Sequence, residues 1–294
     1  MEAAETQAEI KASIDALLGD TALLPPMPAM VARLNALVQD PEVDMKALAE
    51  EISMDPAITA AIIRLSNSAF YRPSRAIRSV HEAIVTLGLR VVKNIVVVAA
   101  SRGILKVDLG DYKIDAPEMW DHCLAVAEIA ASIARLRKQL KVPEDVAFTA
   151  GLLHDIGKVV LVQHFQRVFL KIIAEIEAKP GTSFTALERK YTGYSHDVLG
   201  GTLLELWQFP DELVEAVRFS YHPDKATVNP ALCSMVHVAN GIALAGGVGV
   251  DIGGLNEQLS PAALKILELG DREMEALYGH LPEILEKLAD LRSL

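Results

Sequence analysis

The apolar residues of this chain recur at helical spacing almost from end to end. Near the N-terminus, residues 3–18 place four apolar residues on one face, with charged residues between them: Ile10, Ile14, Leu17 and Leu18. A period of three to four residues is typical of an amphipathic helix. Three prolines follow and fix an extended segment, and the helical spacing then returns over the stretch AMVARLNALV.

The next part of the chain is also predicted to be helical. Two helices are expected within residues 40–70, where Asp44 and Asp55 are of the residue type that N-cap positions prefer. Two more are expected over 79–87 and 89–105. The second of these contains the β-branched run NIVVVAA, whose propensity also suits a strand. Helical neighbours on both sides favour a buried helix.

A polar segment, KVDLGDYKIDAPEM, interrupts the helices, and we place a domain boundary inside it near residue 112. Beyond it the spacing predicts a long series of helices, at 117–139, 143–159, 161–178, 182–191, 195–206, 210–221, 229–245, 260–268 and 271–290. Because no run of alternating strands is present, the predicted fold class is all-α. An N-terminal helical lobe is expected over 1–112 and a second helical domain over 113–294.

The composition suits helices and narrows the classes of function. Of the 294 residues, 51% are hydrophobic and only 5% are aromatic, so the apolar content is mainly aliphatic. The formal net charge is −11 and the pI is about 5.2. Non-specific binding to nucleic acid or to an anionic membrane needs a basic surface. We therefore expect neither kind of partner.

The sequence also indicates the cellular compartment of the protein. Its two cysteines, Cys123 and Cys233, give no disulfide framework, which is typical of a reducing compartment. The acidic N-terminus lacks the basic and apolar regions of a signal peptide. The longest apolar runs are much shorter than the ~20 residues of a membrane-spanning helix. We expect a cytoplasmic protein, and the sequence does not fix its oligomeric state.

The stretch GLLHDIGKVV carries the most unusual pair of residues. His154 and Asp155 stand next to each other in an otherwise apolar run. A buried charge costs several kcal/mol unless it is paired or bound to a metal. The pair therefore indicates either a metal site or a buried polar network that holds helix ends together.

A second histidine can approach this pair. His122 lies near the start of one predicted helix, and His154 lies near the end of the next, where Gly157 is expected to end that helix. The short connection LRKQLKVPED makes the two helices antiparallel neighbours. The start of one then lies beside the end of the other. Imidazole and carboxylate groups that converge in this way suit zinc, iron, manganese or magnesium.

Several phrases, in order, carry a family resemblance. LPPMPAMVARL, DPAITAAIIRLSNSAFY and SVHEAIVTLG precede WDHCLAVA, HDIGK and SHDVLGGTLLELW. Together they resemble the HDOD family of bacterial signalling proteins, which is related to the HD superfamily of metal-dependent phosphohydrolases and to its HD-GYP branch. The resemblance covers roughly residues 18–245. It implies an all-helical fold in two lobes and a regulatory role, with part of the catalytic metal set lost.

The resemblance assigns roles to particular residues. The first histidine of the HD pattern matches His122, and the paired motif matches His154 and Asp155. His196 matches a histidine that precedes a glycine-containing helix in the related HD-GYP proteins. Lys158 matches the lysine that assists phosphate in the hydrolases, which would make it catalytic only in an active enzyme.

The chain then departs from the hydrolase pattern. Where the related enzymes have a His-His pair, this chain has Ser220 and Tyr221, with His222 one position later. The closing aspartate of the pattern falls on Asn240, whose amide brings no charge to a divalent ion. His222 and Asn240 are thus the weakest candidate ligands, and the GYP tripeptide of cyclic-di-GMP phosphodiesterases is missing.

Three functions remain open at this stage. The first is a non-catalytic interaction module that binds a signalling protein or a phosphate-containing small ligand. The second is a metal-dependent phosphohydrolase of nucleotides or cyclic dinucleotides, and the third is a metal-binding sensor without hydrolysis. The expected cofactor is a divalent or iron-type metal, or none. The departures at Tyr221 and Asn240 favour the first function.

Overall fold

The structure is a computed structural model of the chain, and it describes residues 6–19, 44–53, 56–67, 71, 73–105, 116–179, 181–248 and 259–292. These residues contain α-helices, two short 3-10 helices and no strand. The prediction of an all-α fold is therefore confirmed. Within the described residues, no helix has both the length and the apolar content that crossing a membrane would require.

We number the α-helices in chain order. The first five are α1 (Gln7–Gly19), α2 (Met45–Ser53), α3 (Pro56–Ser66), α4 (Val80–Leu87) and α5 (Leu89–Leu105). The central ones are α6 (Ala116–Leu136), α7 (Glu144–Leu153), α8 (Ile156–His164), α9 (Gln166–Ala178), α10 (Phe184–Thr192) and α11 (His196–Leu206). The last are α12 (Asp211–Arg218), α13 (Pro230–Ala245), α14 (Pro261–Ile266), α15 (Asp271–Gly279) and α16 (Leu281–Arg292).

The helices divide into two compact units. The larger unit contains α1 and the helices from α6 to α15, and the smaller one contains α2 to α5 and most of α16. The predicted domain boundary near residue 112 lies outside the described residues, and the division into 1–112 and 113–294 stays a prediction. The placement of α1 in the larger unit was not foreseen.

Local signals explain several helix ends in the smaller unit. The Asp44 carboxylate accepts a hydrogen bond from the backbone N–H of Lys46 at 2.8 Å, so this residue caps α2 as predicted. The other predicted cap, Asp55, lies outside the described residues. The β-branched run within 89–105 is helical, as its neighbours indicated.

Three predicted helices are wrong: 161–178 is divided at Phe165 between α8 and α9, 271–290 is divided at His280 into α15 and α16, and 143–159 is also divided. The chain breaks at His154 and Asp155 into α7 and α8, and Asp155 stands at the N-cap of α8 with φ −100° and ψ 10°. Gly157 does not end a helix but lies inside α8. A Cβ atom at this glycine would lie only 1.9 Å from the backbone oxygen of His196. The lack of a side chain at Gly157 therefore lets α8 and α11 cross in close contact.

The core of the larger unit positions the candidate site. Helix α6 packs along α7 and against α13, and α11 packs between α8 and α12. Gly151 of α7 lets the α6 backbone approach, since a Cβ there would lie 2.8 Å from Cα of Ala127. The prediction that α6 and α7 are neighbours is confirmed.

Candidate metal centre

Burial and one hydrogen bond fix the orientation of the His122 ring, which extends from α6. Its side chain is buried, and its Nδ1 lies 3.0 Å from the backbone oxygen of Val248. A carbonyl only accepts hydrogen bonds, so Nδ1 carries the proton and Nε2 is the nitrogen that can bind a metal. The His122 ring lies beside that of His154, with 5.2 Å between ring centroids.

His154 and Asp155 occupy the break between α7 and α8. Nδ1 of His154 donates to the backbone oxygen of Gly151 at 2.8 Å, which again leaves Nε2 facing inward. Nε2 lies 3.4 Å from Oδ1 of Asp155. Across the site, Nε2 of His122 lies 3.7 Å from Oδ2 of the same carboxylate. The three ligand atoms all lie within 4.8 Å of one another.

His196, the first residue of α11, completes the group. Its Nε2 lies 3.2 Å from Oδ1 of Asp155. Its Nδ1 donates to Oε2 of Glu188 at 2.7 Å, and its backbone N–H donates to the same oxygen at 3.0 Å. Glu188, on α10, is fully buried. Three imidazoles thus surround one carboxylate, and each is oriented by a hydrogen bond at Nδ1.

Lys158 supplies the remaining charge. Its Nζ donates to Oδ2 of Asp155 at 2.8 Å and lies 5.6 Å above the centroid of the Phe184 ring. Lys158 lies three residues after Asp155, in the first turn of α8. Its ammonium bonds Oδ2 of Asp155, which also lies 3.7 Å from Nε2 of His122, whereas His154 and His196 approach Oδ1.

The pKa values follow from burial and these pairs. Burial lowers the pKa of His154 to about 4, although Asp155 opposes the change. Burial also lowers the pKa of His196, but the Glu188 and Asp155 carboxylates together outweigh it and raise that pKa to about 10. Burial opposes ionisation of Asp155, yet His154 and Lys158 hold its pKa well below the usual range. Burial raises the pKa of Glu188, although His196 opposes the change. With both carboxylates ionised, the metal-free site holds two negative groups beside one ammonium and one imidazolium.

Unsatisfied atoms show that this arrangement fits a metal ion. Nε2 of His154, Nε2 of His196 and Oδ1 of Asp155 are buried, and none has a hydrogen-bond partner within the described residues. The two nitrogens lie 3.4 and 3.2 Å from this oxygen. Imidazoles whose Nδ1 donates to a carbonyl or carboxylate are typical of metal ligands. His122, His154 and Asp155, whose ligand atoms lie within 4.8 Å of one another, would hold the ion, and His196 beside Asp155 is the candidate fourth ligand.

The donor set narrows the choice of metal. Three imidazole nitrogens and one carboxylate suit zinc or iron, whereas magnesium prefers oxygen ligands and retained water. In the metal-free protein His196 is an imidazolium, because its pKa is about 10. A metal that binds Nε2 of His196 must therefore displace a proton.

The other predicted site residues lie elsewhere. Nε2 of His222 accepts a hydrogen bond from the guanidinium of Arg189 at 3.3 Å, and burial together with nearby cations lowers its pKa. Asn240 is buried on α13, and its Oδ1 has no hydrogen-bond partner among the described residues. His222 does not belong to the group formed by His122, His154 and Asp155. Their roles as ligands stay predictions.

The positions of the missing His-His pair contribute no ligand. The hydroxyl of Ser220 donates to the backbone oxygen of Val217 at 3.0 Å. The Tyr221 ring stands edge-on to the His196 ring, with 5.0 Å between centroids and 88° between planes. An aromatic ring thus lies against the site where a second set of ligands would be needed.

Sequence reasoning missed Glu188. It lies in the segment FTALERKYT, whose polar residues suggest an exposed helix. Nothing in the sequence links Glu188 to His196, eight residues later, because only the turn after α10 brings the two side chains together. The one usable signal was a glutamate among apolar neighbours on the inner face of the predicted helix.

Comparison with known proteins identifies the chain. The model of the HDOD domain family matches residues 24–223. Among curated proteins, an uncharacterized protein of Treponema pallidum (strain Nichols) is 22% identical over 218 residues, which are 74% of this chain and 41% of that protein. The chain therefore spans about two fifths of the length of the curated relative it matches.

Solved structures give the same fold. A protein of Shewanella amazonensis, provisionally named a phosphohydrolase, is 27% identical with a TM-score of 0.67, covering 90% of this chain and 98% of its own. An HDOD domain protein of unknown function from Geobacter sulfurreducens is 21% identical with a TM-score of 0.73, covering 97% and 95%. A protein of Marinobacter aquaeolei, provisionally named for signal transduction, is 23% identical with a TM-score of 0.77, covering 98% and 65%. By sequence and by fold, the chain belongs to the HDOD domain family.

Proposed function

We propose that this protein is an HDOD regulatory module that binds one metal ion in its buried core and does not hydrolyse phosphate esters. The observation that carries the proposal is the set of contacts that the Asp155 carboxylate makes. Three imidazoles approach this carboxylate, at 3.2, 3.4 and 3.7 Å, and the Lys158 ammonium bonds it at 2.8 Å. A bound ion would supply positive charge that cross-links α6, α8 and α11.

The same arrangement argues against a two-metal hydrolase. A second ion would share Asp155, but the ammonium of Lys158 already bonds Oδ2. Ser220 and Tyr221 offer no ligand where the hydrolases have a His-His pair. The exposed fraction is 4% for His122 and 0% for His154 and His196, so a phosphodiester has little access to the ligand atoms.

A regulatory role fits a module that holds metal without turnover. One solved relative is provisionally named a signal transduction protein. We infer that this chain acts by binding another signalling protein, and that a phosphate-containing small ligand is the alternative partner. Phosphohydrolase activity is the rival function, because Lys158 and the HD pair of the hydrolases are both present.

Metal analysis tests the proposal. Protein purified without chelator should contain about one equivalent of zinc or iron by inductively coupled plasma mass spectrometry. The variant His154→Ala should lose it, because one of the ligands is gone. The matched control is His164→Ala, which removes an exposed imidazole at the far end of α8.

A hydrolysis assay separates the two functions. Wild-type protein should leave bis(p-nitrophenyl) phosphate intact when zinc, ferrous or manganese ions are added. Turnover that disappears in Asp155→Ala, together with two equivalents of metal, would replace this proposal with the hydrolase. Wild-type protein that neither contains nor takes up metal would exclude the metal site and leave an interaction module alone.

A further inference from the structure

Helix α1 lies outside the part of the chain that the family model matches, which begins at residue 24. It nevertheless packs against α10 in the larger unit. Its apolar stripe is buried there: the exposed fractions of Ile10, Ile14 and Leu17 are 3%, 0% and 5%. The helix thus adds a packed layer to one face of the metal-binding unit.

Polar contacts fix where α1 sits. Nε2 of Gln7 donates to the backbone oxygen of Arg189, in the last turn of α10, at 2.9 Å. The hydroxyl of Tyr194 donates to the carboxylate of Asp15. The ammonium of Lys11 bonds Asp15 at 2.9 Å and lies 5.0 Å from the centroid of the Tyr194 ring. All these contacts fall on the last turn of α10 and on the turn that follows it.

This segment also supports the metal centre from its other side. Glu188 bonds both the ring and the backbone of His196. The guanidinium of Arg189 donates to the hydroxyl of Ser195 at 3.3 Å and to Nε2 of His222 at 3.3 Å. Residues 188–196 therefore carry contacts to α1 on one face and contacts to a metal ligand on the other.

Helix α1 depends on its packing against the larger unit for its helical form. A helix of 13 residues is barely stable in water without tertiary packing. Its polar contacts are exposed, since the side chains of Lys11 and Asp15 are each 47% exposed, and such pairs add little stability. Release of α1 would therefore melt it and free the last turn of α10.

We propose that α1 is a docking arm that holds residues 188–196 in the geometry the metal site needs, so that arm docking and metal binding are linked. The proposal rests on the metal site proposed above. Linkage is reciprocal: if docking strengthens metal binding, metal must strengthen docking by the same factor. A signal that detaches the arm would weaken metal binding from outside the buried core.

The test uses the full chain and zinc alone. Ile14→Asp places a carboxylate in the buried stripe and should undock the arm, whereas Ala12→Asp places one on the exposed face of the same helix. Tyr194→Phe is the milder variant, since it removes only the hydroxyl that bonds Asp15. Zinc affinity is measured by competition with a chromogenic chelator, and backbone protection by hydrogen exchange with mass spectrometry.

We expect Ile14→Asp to lose protection over residues 7–19 and to bind zinc roughly tenfold more weakly, as is typical when the group that orients a metal-ligating histidine is disturbed. Ala12→Asp should match wild type, and Tyr194→Phe should shift in the direction of Ile14→Asp. Zinc should raise protection over 7–19 in wild type. Unchanged zinc affinity in a variant whose arm is unprotected would overturn the linkage, as would zinc that leaves the arm's protection unaltered.

The design separates this proposal from the metal site itself. If wild-type protein binds no zinc, the proposed metal site is refuted. Hydrogen exchange alone then tests whether α1 holds residues 188–196. Loss of protection over residues 185–196 in Ile14→Asp, but not in Ala12→Asp, would still show that the arm holds this segment. If residues 185–196 keep full protection in a variant whose α1 is undocked, the proposal that α1 holds this segment is refuted as well.

Discussion

Replacing Glu188 by glutamine should change how the stability of the metal-free protein depends on pH. The carboxylate accepts two hydrogen bonds from His196, one from Nδ1 at 2.7 Å and one from the backbone N–H at 3.0 Å. Glutamine has nearly the same shape but carries no charge. The substitution therefore removes the group that keeps the buried imidazole protonated and leaves the packing in place.

The magnitude follows from the pKa of His196, which is raised from 6.5 to about 10 because the Glu188 and Asp155 carboxylates together outweigh burial. A histidine whose pKa is raised on folding contributes stability that is complete below pH 6.5 and is lost as the pH rises towards 10. Each pH unit is worth at most about 1.4 kcal/mol. The wild-type protein should thus lose on the order of 5 kcal/mol from this group across the window. In Glu188→Gln, burial dominates, the imidazole is neutral, and this loss is absent.

Urea unfolding followed by circular dichroism, with chelator present, measures the effect. The free energy of unfolding is determined at intervals between pH 6.5 and 10 for wild type, Glu188→Gln and a control, Glu205→Gln. The control removes a carboxylate that pairs with Arg218 and is 64% exposed. The variant should be less stable than wild type at pH 6.5, and the difference should shrink as the pH rises. Parallel curves for wild type and Glu188→Gln would refute the assignment of the charge on His196.

Three further predictions concern neighbouring residues. Because the pKa of His154 is lowered to about 4, its contribution to stability is complete above pH 6.5 and is lost as the pH falls towards 4. Urea unfolding with chelator present should therefore show that His154→Gln loses about 3 kcal/mol less of its free energy of unfolding than wild type does over that range. Zinc affinity should rise by up to about tenfold per pH unit until the pH reaches about 10, the pKa of His196, since binding displaces the proton of that imidazole, and competition titrations in which the affinity stays level with pH below 10 would contradict this. Gly157→Ala should lower the free energy of unfolding by roughly 3 kcal/mol or abolish folding, because its Cβ would lie 1.9 Å from a backbone oxygen. Gly279→Ala, which has nothing within 4 Å, should be neutral or slightly stabilising and serves as the control in thermal melts.

The helical fold and the meeting of His122 with His154 were accessible from the sequence, because both depend on local spacing and on one short connection. The family resemblance added His196, whose approach to Asp155 depends on how α11 crosses α8. What could not be foreseen depends on contacts between distant segments. The helix break at His154 has no proline or glycine to announce it, since Gly157 serves packing instead.

Two other features escaped prediction for the same reason. Glu188 resembles a surface residue in its own segment, and only the tertiary fold buries it against His196. The first helix was recognised from its periodicity, but periodicity does not say which surface an apolar stripe will cover. Its contacts with Arg189 and Tyr194 span more than 170 residues of sequence.

The crossing of α8 and α11 at Gly157 has a consequence for how such a protein can diverge. The candidate ligands are side chains, so each can be exchanged by a single mutation while the backbones stay where they are. The glycine is needed by the backbones themselves, since any side chain there would meet the oxygen of His196. Over evolutionary time a lineage can therefore lose its metal one ligand at a time and keep its shape, and the glycine should persist after the histidines around it have been replaced.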